Sequence, residues 1–384
     1  MLKPILFVTS LTLSILPGLS SAQNNFTSTE GIQKSCALQE KQNFNHGTSN
    51  ADKQSQVICR DIALLKQVAR WVDQLKVSPN RDFTSRDFDT MVRKEITYIR
   101  QQLGASRKTL EKMQLKPNEG LMIEPAQWQL DLNGDSKISP WEKYFFAVVK
   151  PGERPFTMSM PSDDPNYYQE HFNLQAKFQV DQSDVYWALA YHQFFEGFTN
   201  LILSFQIDMS DRRQMRIKMI DPVSLQKSHA LIGAGLATSE RMRQSLLAET
   251  DDQDEWIPNP NQKNHVFPLA MDQAAFNIWG KFLGETIPLW NGKTILAPPS
   301  NAGGMLGSTA KMCPPNQGLN VATLFKRAPT YFDSSLSVRY ACMSVDKDHP
   351  ASQLAKMAEE ALEQGRNNPK SPEWSFVRYF YWVN

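Results

Sequence analysis

The twelve residues 131–142 constrain the fold of this chain more than any other stretch, because oxygen-bearing side chains recur through them at fixed intervals. Counted from one to twelve, positions one, three, five, nine and twelve are Asp131, Asn133, Asp135, Ser139 and Glu142. A calcium ion takes about 6–8 oxygen ligands, whereas magnesium requires a tighter octahedral set. Three formally negative side chains in so short a span favour a calcium site over the alternative, an Asp-, Asn- and Gly-rich turn that begins a helix without a metal. We call this stretch the candidate loop.

The candidate loop reads Asp-Leu-Asn-Gly-Asp-Ser-Lys-Ile-Ser-Pro-Trp-Glu and resembles the loop of an EF-hand, especially the DxNGDxxI variant of bacterial extracellular calcium-binding proteins. The resemblance covers a dozen of the 384 residues and implies nothing about the rest of the fold. It implies one Ca²⁺ as the cofactor, with Lys137 binding through its backbone carbonyl and Glu142 through both carboxylate oxygens. The implied metal ligands are Asp131, Asn133, Asp135, Lys137, Ser139 and Glu142.

One departure from the EF-hand pattern is at the sixth position, where glycine usually allows a sharp turn and this chain has Ser136. A non-glycine residue with positive φ costs on the order of 1 kcal/mol. We therefore expect affinity typical of extracellular modules, with a dissociation constant of about 10⁻⁴–10⁻³ M. A short helix is expected to enter the loop over 121–130, and a second helix is expected to leave it over 140–149.

The N-terminal 22 residues are typical of a secretory signal peptide. Lys3 precedes an apolar run over 5–19, and residues 20–22 form a small-residue cleavage site. The predicted location is therefore periplasmic or secreted. No later stretch is long and apolar enough to cross a bilayer. A formal net charge of +1 gives no electrostatic basis for binding nucleic acid or an anionic membrane, and a protein partner stays open.

Four cysteines, an even number in a chain expected to be exported, indicate two disulfides. They are Cys36, Cys59, Cys313 and Cys342, and three pairings are possible. We expect Cys36–Cys59 and Cys313–Cys342, because each of these pairings closes a short loop. Closing such a loop contributes about 3 kcal/mol per disulfide. Metal ligation by the cysteines is the weaker interpretation, since no C-x-x-C spacing is present.

Apolar residues recur at intervals of three and four over most of the chain, which predicts a mainly α-helical, bundle-like globular protein with one EF-hand-like helix-loop-helix and little β-structure. The predicted parts are a signal peptide (1–22), a helical hairpin with the candidate loop (23–150) and a C-terminal helical domain (151–384). Helices are expected over 51–76, 87–114, 184–205, 222–249, 271–290 and 351–365. Strands are expected over 294–296, 335–343 and 375–383, and the last could equally be a helix. The helix over 184–205 is apolar on most sides and is therefore expected to be buried.

Two further acidic segments deserve comparison with the candidate loop, because EF-hands usually occur in pairs. The segment 181–184 (Asp-Gln-Ser-Asp) continues as an apolar helix, and 251–254 (Asp-Asp-Gln-Asp) lacks a bidentate acid at the required offset. The sequence therefore predicts a single calcium site. The acidic residues over 251–255 could line a cleft, but a solvated face is the usual meaning of such a run.

His192 and Glu196 lie four residues apart on one face of a predicted helix, and His229 lies on the next long helix. Together they could act as acid and base or bind zinc. Zinc sites use three or four protein ligands, and no H-E-x-x-H pattern is present. A hydrogen-bonded core pair is therefore the favoured interpretation.

The predicted function is an exported protein in which calcium bound by the candidate loop orders the structure, with no prediction of its biological role. The alternative is a periplasmic or secreted hydrolase with a His/Glu site on the helices over 184–249 and calcium as support. Convergence of His192, Glu196 and His229 in an open pocket would favour that enzyme. A partner-binding module would require an exposed apolar groove. The aromatic stretch 374–382 is the one candidate, and packing of that stretch into the chain's own core is the favoured interpretation.

Overall fold

The computed structural model describes residues 25–44, 48–76, 86–151, 165–208, 216–297, 313–332 and 337–368. Over these ranges the chain is mainly α-helical, as predicted, and no helix in them has the length and apolar character that a membrane span requires. The helices are α1 (Thr29–Lys41), α2 (Asn50–Lys76), α3 (Arg86–Leu110), α4 (Pro140–Lys143), α5 (Pro165–His171), α6 (Gln182–Ser204), α7 (Pro222–Ala248), α8 (Gln273–Trp290), α9 (Val321–Lys326) and α10 (Leu354–Asn367). The predicted signal peptide and the predicted strand over 375–383 lie outside the described residues.

Short strands pair in small antiparallel sheets between the helices. The strands are β1 (Leu121–Ile123), β2 (Val148–Val149), β3 (Phe172–Asn173), β4 (Phe178–Val180), β5 (Phe205–Asp208), β6 (Arg216–Met219), β7 (Gln317–Leu319), β8 (Tyr331–Phe332) and β9 (Cys342–Ser344). β1 pairs with β4, β2 with β3 and β7 with β9, while β6 lies between β5 and β8. The strand predicted over 294–296 is reduced to isolated bridges at Ile295 and Leu296. Helix packing, rather than a sheet, therefore determines the fold.

Both predicted disulfides are present. Cys36–Cys59 joins α1 to α2, with Cα atoms 4.9 Å apart, and Cys313–Cys342 joins the segment before β7 to β9, with Cα atoms 5.6 Å apart. These spans lie within the range that a disulfide bridges without backbone movement. α1 is thus tied covalently to the hairpin of α2 and α3, which pack against each other as predicted.

α6 and α7 form the central helical hairpin, and the antiparallel strands β5 and β6 connect them. Each helix begins at an aspartate: Asp181 accepts hydrogen bonds from the amides of Ser183 and Asp184, and Asp221 accepts one from the amide of Ser224. Such caps satisfy amides that have no partner inside the helix. α3 packs against a second side of α6, and α8 packs against α7.

Two glycines let α6 and α7 approach each other closely. A Cβ atom on Gly197 would lie 2.7 Å from Cγ1 of Ile232 and 3.3 Å from the carbonyl oxygen of Ser228. A Cβ atom on Gly235 would lie 2.5 Å from the ring of Phe194. No side chain fits at either glycine unless its neighbours move, so the spacing of the two helices depends on both positions.

The main hydrophobic core lies where α7 and α8 meet the N-terminal elements. Trp279 and Phe276 of α8 are fully buried, as is Phe26 from the segment before α1. The same cluster includes Trp128 and Met242, so it contains residues from both sides of the predicted domain boundary at 150. The boundary itself stays a prediction.

The helix predicted before the candidate loop, over 121–130, is wrong, and the helix predicted after it, over 140–149, begins at Pro140 but is shorter than predicted. Residues 121–130 contain β1 and a single 3₁₀ turn, Pro125–Gln127, because β1 pairs with β4 and the amide of Glu124 donates to the carbonyl oxygen of Phe26. These long-range bonds engage the backbone groups that a helix would use internally. After the loop, α4 ends at Lys143, and the β-branched valines of β2, which favour an extended backbone, pair with β3.

α6 is buried on two sides, whereas the sequence predicted burial on most sides. Its faces toward α3 and α7 are closed, but Phe195, Phe198 and Ile202 remain about half exposed on the third side. The prediction failed because hydrophobicity around a helix does not specify how many neighbours cover it.

Substituting Gly197 by leucine is expected to destabilise the protein by about 1–3 kcal/mol, because the new side chain must displace Ile232 or separate α6 from α7. The matched control is Gly284→Ala in α8, where an added Cβ atom has no heavy atom within 4 Å. Alanine is about 1 kcal/mol more favourable than glycine inside a helix, so the control should stabilise the fold. Chemical denaturation measures both changes, and similar effects of the two substitutions would contradict the close crossing.

Candidate metal centre

The candidate loop begins from a buried anchor. Leu130 and Leu132, on either side of Asp131, are 3% and 1% exposed. The indole nitrogen of the preceding Trp128 donates a hydrogen bond of 2.7 Å to the carbonyl oxygen of Phe26. Because its neighbours are fixed in the core, the Asp131 carboxylate has a defined position at the start of the loop.

Side-chain oxygens at alternate positions of the loop accept hydrogen bonds from the loop's own amides. This pattern uses the tendency of Asp and Asn side chains to bond backbone groups a few residues further on. The bonds run to Asp131 from the amides of Gly134 (2.7 Å) and Ser136 (3.0 Å), to Asn133 from the amide of Asp135 (3.1 Å), and to Asp135 from the amide of Lys137 (2.8 Å). The side chains of Asp131, Asn133 and Asp135 are therefore held against the loop backbone.

The loop turns through the left-handed backbone region at two residues. Gly134 has φ +81° and Ser136 has φ +65°. Ser136 thus adopts the strained conformation expected at the sixth position, where a glycine would have no Cβ penalty. The hydrogen bond from the Ser136 amide to Asp131 offsets part of that strain.

Glu142 closes the loop from its far end and is fully buried. Its Oε1 accepts hydrogen bonds from the amides of Leu132 (2.9 Å) and Asn133 (3.2 Å) at the start of the loop. Its Oε2 accepts bonds from the amide (2.9 Å) and hydroxyl (2.7 Å) of Ser139. One carboxylate therefore joins both ends of the loop and caps α4. Four bonds fill the roughly four acceptor positions of a carboxylate.

Two residues of the hydrolase alternative lie on α6 with separate partners. A carboxylate oxygen of Asp61 lies 3.0 Å from Nε2 of His192. Burial lowers the pKa of His192, but the Asp61 carboxylate and the carbonyl oxygen of Ala188 together outweigh it, so the pKa is raised overall. Glu196 is 2% exposed and pairs with Arg107 at 2.6 Å and Lys227 at 3.4 Å. Each side chain is satisfied by a neighbouring helix.

His229 also has its own partners. Its ring stacks on Trp290 with centroids 5.3 Å apart and lies 5.0 Å from the ring of Phe325. Its Nε2 lies 2.9 Å from the carbonyl oxygen of Trp290. His229 therefore anchors α7 to α8 and α9, and no observation on the three residues favours the hydrolase.

A compact carboxylate cluster lies where α6 begins and α7 ends. Asp181, Glu249 and Glu255 each contribute an oxygen that lies within 4.8 Å of the other two. In the described ranges no other set of three His, Cys, Asp or Glu side chains meets that distance, so the carboxylates of the candidate loop stand further apart. The cluster borders a cavity of about 270 Å³. Such an arrangement can hold shared protons or a divalent cation.

The hydrogen bonds of the carboxylate cluster are incomplete. The hydroxyl of Ser183 donates a hydrogen bond to Glu249, and the side-chain amide of Gln262 donates one of 2.9 Å to Glu255. Oε2 of Glu249 is buried without a hydrogen-bond partner. An ionised carboxylate with an unsatisfied buried oxygen is unfavourable, so the geometry favours the protonated form of Glu249.

The pKa values of these carboxyl groups are raised. Burial and then the charge of Asp181 raise the pKa of Glu249 to about 9 and that of Glu255 to about 8. Burial also raises the pKa of Asp181 and that of the neighbouring Asp184. The charge of Asp251 also raises the pKa of Glu255. The cluster therefore binds protons near neutral pH, which reduces its charge.

The sequence predictions missed this cluster because its members come from three separate segments. The segments 181–184 and 251–254 were each compared with a continuous calcium loop, and neither fits one. A usable signal was present: two consecutive helices in an antiparallel hairpin bring the start of the first next to the end of the second. Acidic residues at those two ends are therefore neighbours in space, and the acidic run over 251–255 does line a cleft.

Glu249→Gln is expected to make the protein more stable at alkaline pH. A raised folded-state pKa means that the folded protein retains a proton that the unfolded chain releases. The contribution of Glu249 to the free energy of unfolding is therefore full below about pH 4.5 and is lost as pH rises through about 9. We predict that the variant has the higher melting temperature at pH 9 and a shallower decline between pH 5 and pH 9, measured by thermal unfolding.

Glu240→Gln on the same helix is the matched control for that experiment. A hydrogen bond from Arg243 lowers the pKa of Glu240, so its stabilising contribution is present at neutral and alkaline pH and is lost as pH falls. The control should therefore not raise the melting temperature at pH 9. A decrease at pH 9 for Glu249→Gln would show that the cluster is not protonated.

Comparison with known proteins identifies no relative of this chain. A scan against family models, a search of curated proteins and a search of solved structures each found no match to this chain. Its function is therefore inferred from the chemistry of its own residues.

Proposed function

We propose that this chain is an exported calcium-binding protein that holds one Ca²⁺ structurally in the candidate loop. The observation that carries the proposal is the set of alternate side-chain oxygens bonded to the loop's own amides, with Glu142 joining the two ends. Every proposed ligand supplies oxygen, the donor that calcium prefers. The ligands are Asp131, Asn133, Asp135, Lys137 through its carbonyl, Ser139 and Glu142.

Charge gives the loop a reason to bind a cation. Asp131, Asp135 and Glu142 place three carboxylates on twelve residues, and like charges held on one loop repel one another. The amides that bond to these side chains reduce the repulsion but do not neutralise it. A divalent cation would remove most of it and hold the loop in one conformation.

The hydrogen bonds of Glu142 argue for weak binding. Its carboxylate already accepts bonds from both ends of the loop, and ligation through both oxygens would compete with them. The same bonds keep the carboxylate ordered, which lowers the entropy lost on binding. Together with the strained Ser136, this competition supports a dissociation constant in the range of about 10⁻⁴–10⁻³ M.

A permanent structural ion is favoured over a signalling one by the elements next to the loop. Sensor EF-hands respond by changing the angle between two helices. Here the loop follows a 3₁₀ turn, and its last three residues belong to the four-residue helix α4. The rings of Trp128 and Phe146, one on each side of the loop, lie 5.4 Å apart in edge-to-face contact. The described residues next to the loop contain no pair of long helices whose angle could change.

An extracytoplasmic location agrees with this function. Two disulfides suggest an oxidising environment, and the predicted signal peptide over 1–22 supports export. Free calcium at ten times the dissociation constant would stabilise the folded state by about 1.4 kcal/mol. A weak site can therefore stay occupied where calcium is abundant.

The proposal predicts that Asp135→Asn weakens calcium binding at least about tenfold, on the order of 1.4 kcal/mol. Asparagine keeps the oxygen that accepts from the Lys137 amide and removes only the charge, so the fold should be unaffected. Isothermal titration of the full chain with calcium measures the change, and magnesium should bind more weakly to the unsubstituted protein.

Glu249→Gln is the matched control, because it removes one carboxyl group from the carboxylate cluster and leaves the loop intact. Its calcium affinity should equal that of the unsubstituted protein. If Glu249→Gln abolishes binding while Asp135→Asn does not, the ion belongs to the cluster and the proposal is wrong. An unsubstituted protein that binds no calcium would also reject it.

A further inference from the structure

The carboxylate cluster lies where two walls of a cavity meet. The cavity of about 270 Å³ is lined by the segment before β1, by the start of α6, and by the end of α7 with the residues that follow it. Asp181 belongs to the α6 wall, whereas Glu249 and Glu255 belong to the end of α7 and the segment after it. We call residues 249–255 the latch segment. The carboxylate cluster therefore forms a contact between the start of α6 and the latch segment.

The ends of the latch segment are held by contacts between uncharged groups. The side-chain amide of Asn259 donates a hydrogen bond of 3.2 Å to the carbonyl oxygen of Glu249. The backbone amide of Gln179 donates one of 2.9 Å to the carbonyl oxygen of Asp254. Trp256, the residue after the segment, is buried in the main hydrophobic core. Because none of these groups titrates near neutral pH, the ends of the latch segment stay in place when the charge of the cluster changes.

No cation compensates the acidic groups at this contact. In the part of the chain that the structure describes, none of them forms an ion pair with a lysine, an arginine or a histidine. The wall formed by the segment before β1 adds one side chain of each sign, Lys116 and Glu119. The acidic groups that act on one another across the contact are Asp181 and Asp184 of α6 and Glu249, Asp251 and Glu255 of the latch segment. If all of them were ionised, like charges would repel one another across the contact.

The position of Glu249 favours a bound proton at this contact. Its Oε2 is buried without a hydrogen-bond partner, and a carboxyl oxygen of Glu249 lies within 4.8 Å of oxygens from Asp181 and Glu255. Ionised carboxylates so close together are unfavourable, whereas a proton bound to one of them reduces the repulsion. Burial and then the charge of Asp181 raise the pKa of Glu249 to about 9 and that of Glu255 to about 8. The contact is therefore partly neutralised at pH 7 and gains charge at alkaline pH.

We propose that the carboxylate cluster is a proton-operated latch on the cavity. While protons are bound, the cluster holds the latch segment against the start of α6. When alkaline solvent takes up those protons, repulsion among the carboxylates moves the middle of the latch segment away from α6 and widens the cavity. The ends of the segment and the core stay in place, so the opening is local and reversible. This inference does not depend on calcium binding by the candidate loop.

Hydrogen exchange of the full chain, followed by mass spectrometry, tests the local opening. The reporter region is 251–262, where the amide of Glu255 donates a hydrogen bond of 3.0 Å to the carbonyl oxygen of Asn264. Protection is measured against an unstructured peptide of the same sequence, which cancels the direct effect of hydroxide on exchange. We expect protection over 251–262 to fall at least about tenfold between pH 7 and pH 9.5, as linkage predicts for a proton lost on opening, while α8 stays protected. Unchanged protection over 251–262, or equal loss in α8, would overturn the proposal.

Glu249→Gln links the opening to the cluster, because glutamine keeps the shape of the protonated side chain and has no proton to lose in this range. Its protection over 251–262 should change much less between pH 7 and pH 9.5 than that of the unsubstituted protein. Glu240→Gln removes a carboxylate paired with Arg243 on the same helix and should behave like the unsubstituted protein. If Glu249→Gln fails to fold, Glu255→Gln provides the same comparison. An equal loss of protection with and without the substitution in the cluster would overturn the proposal.

Discussion

The close crossing of α6 and α7 is the constraint on which the other features depend. Gly197 and Gly235 allow Ile232 and Phe194 to fill the space between the two helices. At this spacing the hairpin provides one outer surface for α3 and another for α8. The same antiparallel arrangement brings Asp181 beside Glu249 and leaves a third side of α6 facing outward. The carboxylate cluster and the exposed apolar residues of α6 are therefore both consequences of one helix pair.

The acidic residues of the candidate loop and those of the carboxylate cluster lie in two different environments. In the candidate loop, backbone amides donate hydrogen bonds to Asp131, Asp135 and Glu142. In the cluster, the carboxyl groups are buried close together with few donors, which raises the pKa of Glu249 and Glu255. A cation at the cluster must compete with bound protons near neutral pH. This competition is the main electrostatic reason to propose the loop, and not the cluster, as the calcium site.

Features with local causes could be predicted from the sequence. The periodic apolar positions identified the central helices, and short loop closure identified both disulfides. The strands β1 and β2 beside the candidate loop could not be predicted, because their pairing partners are distant in the sequence. The carboxylate cluster was missed for the same reason, since its three members meet only after α6 and α7 pack. His192 and Glu196 were correctly expected to be hydrogen-bonded in the core.

The central claim is that the candidate loop, and not the carboxylate cluster, binds calcium. Crystals grown with calcium and measured for anomalous scattering test it most directly. The account predicts one strong peak at the loop, about 2.3–2.6 Å from oxygens of Asp131, Asp135 and Glu142. No peak at the loop, or a peak only between Asp181, Glu249 and Glu255, would contradict it.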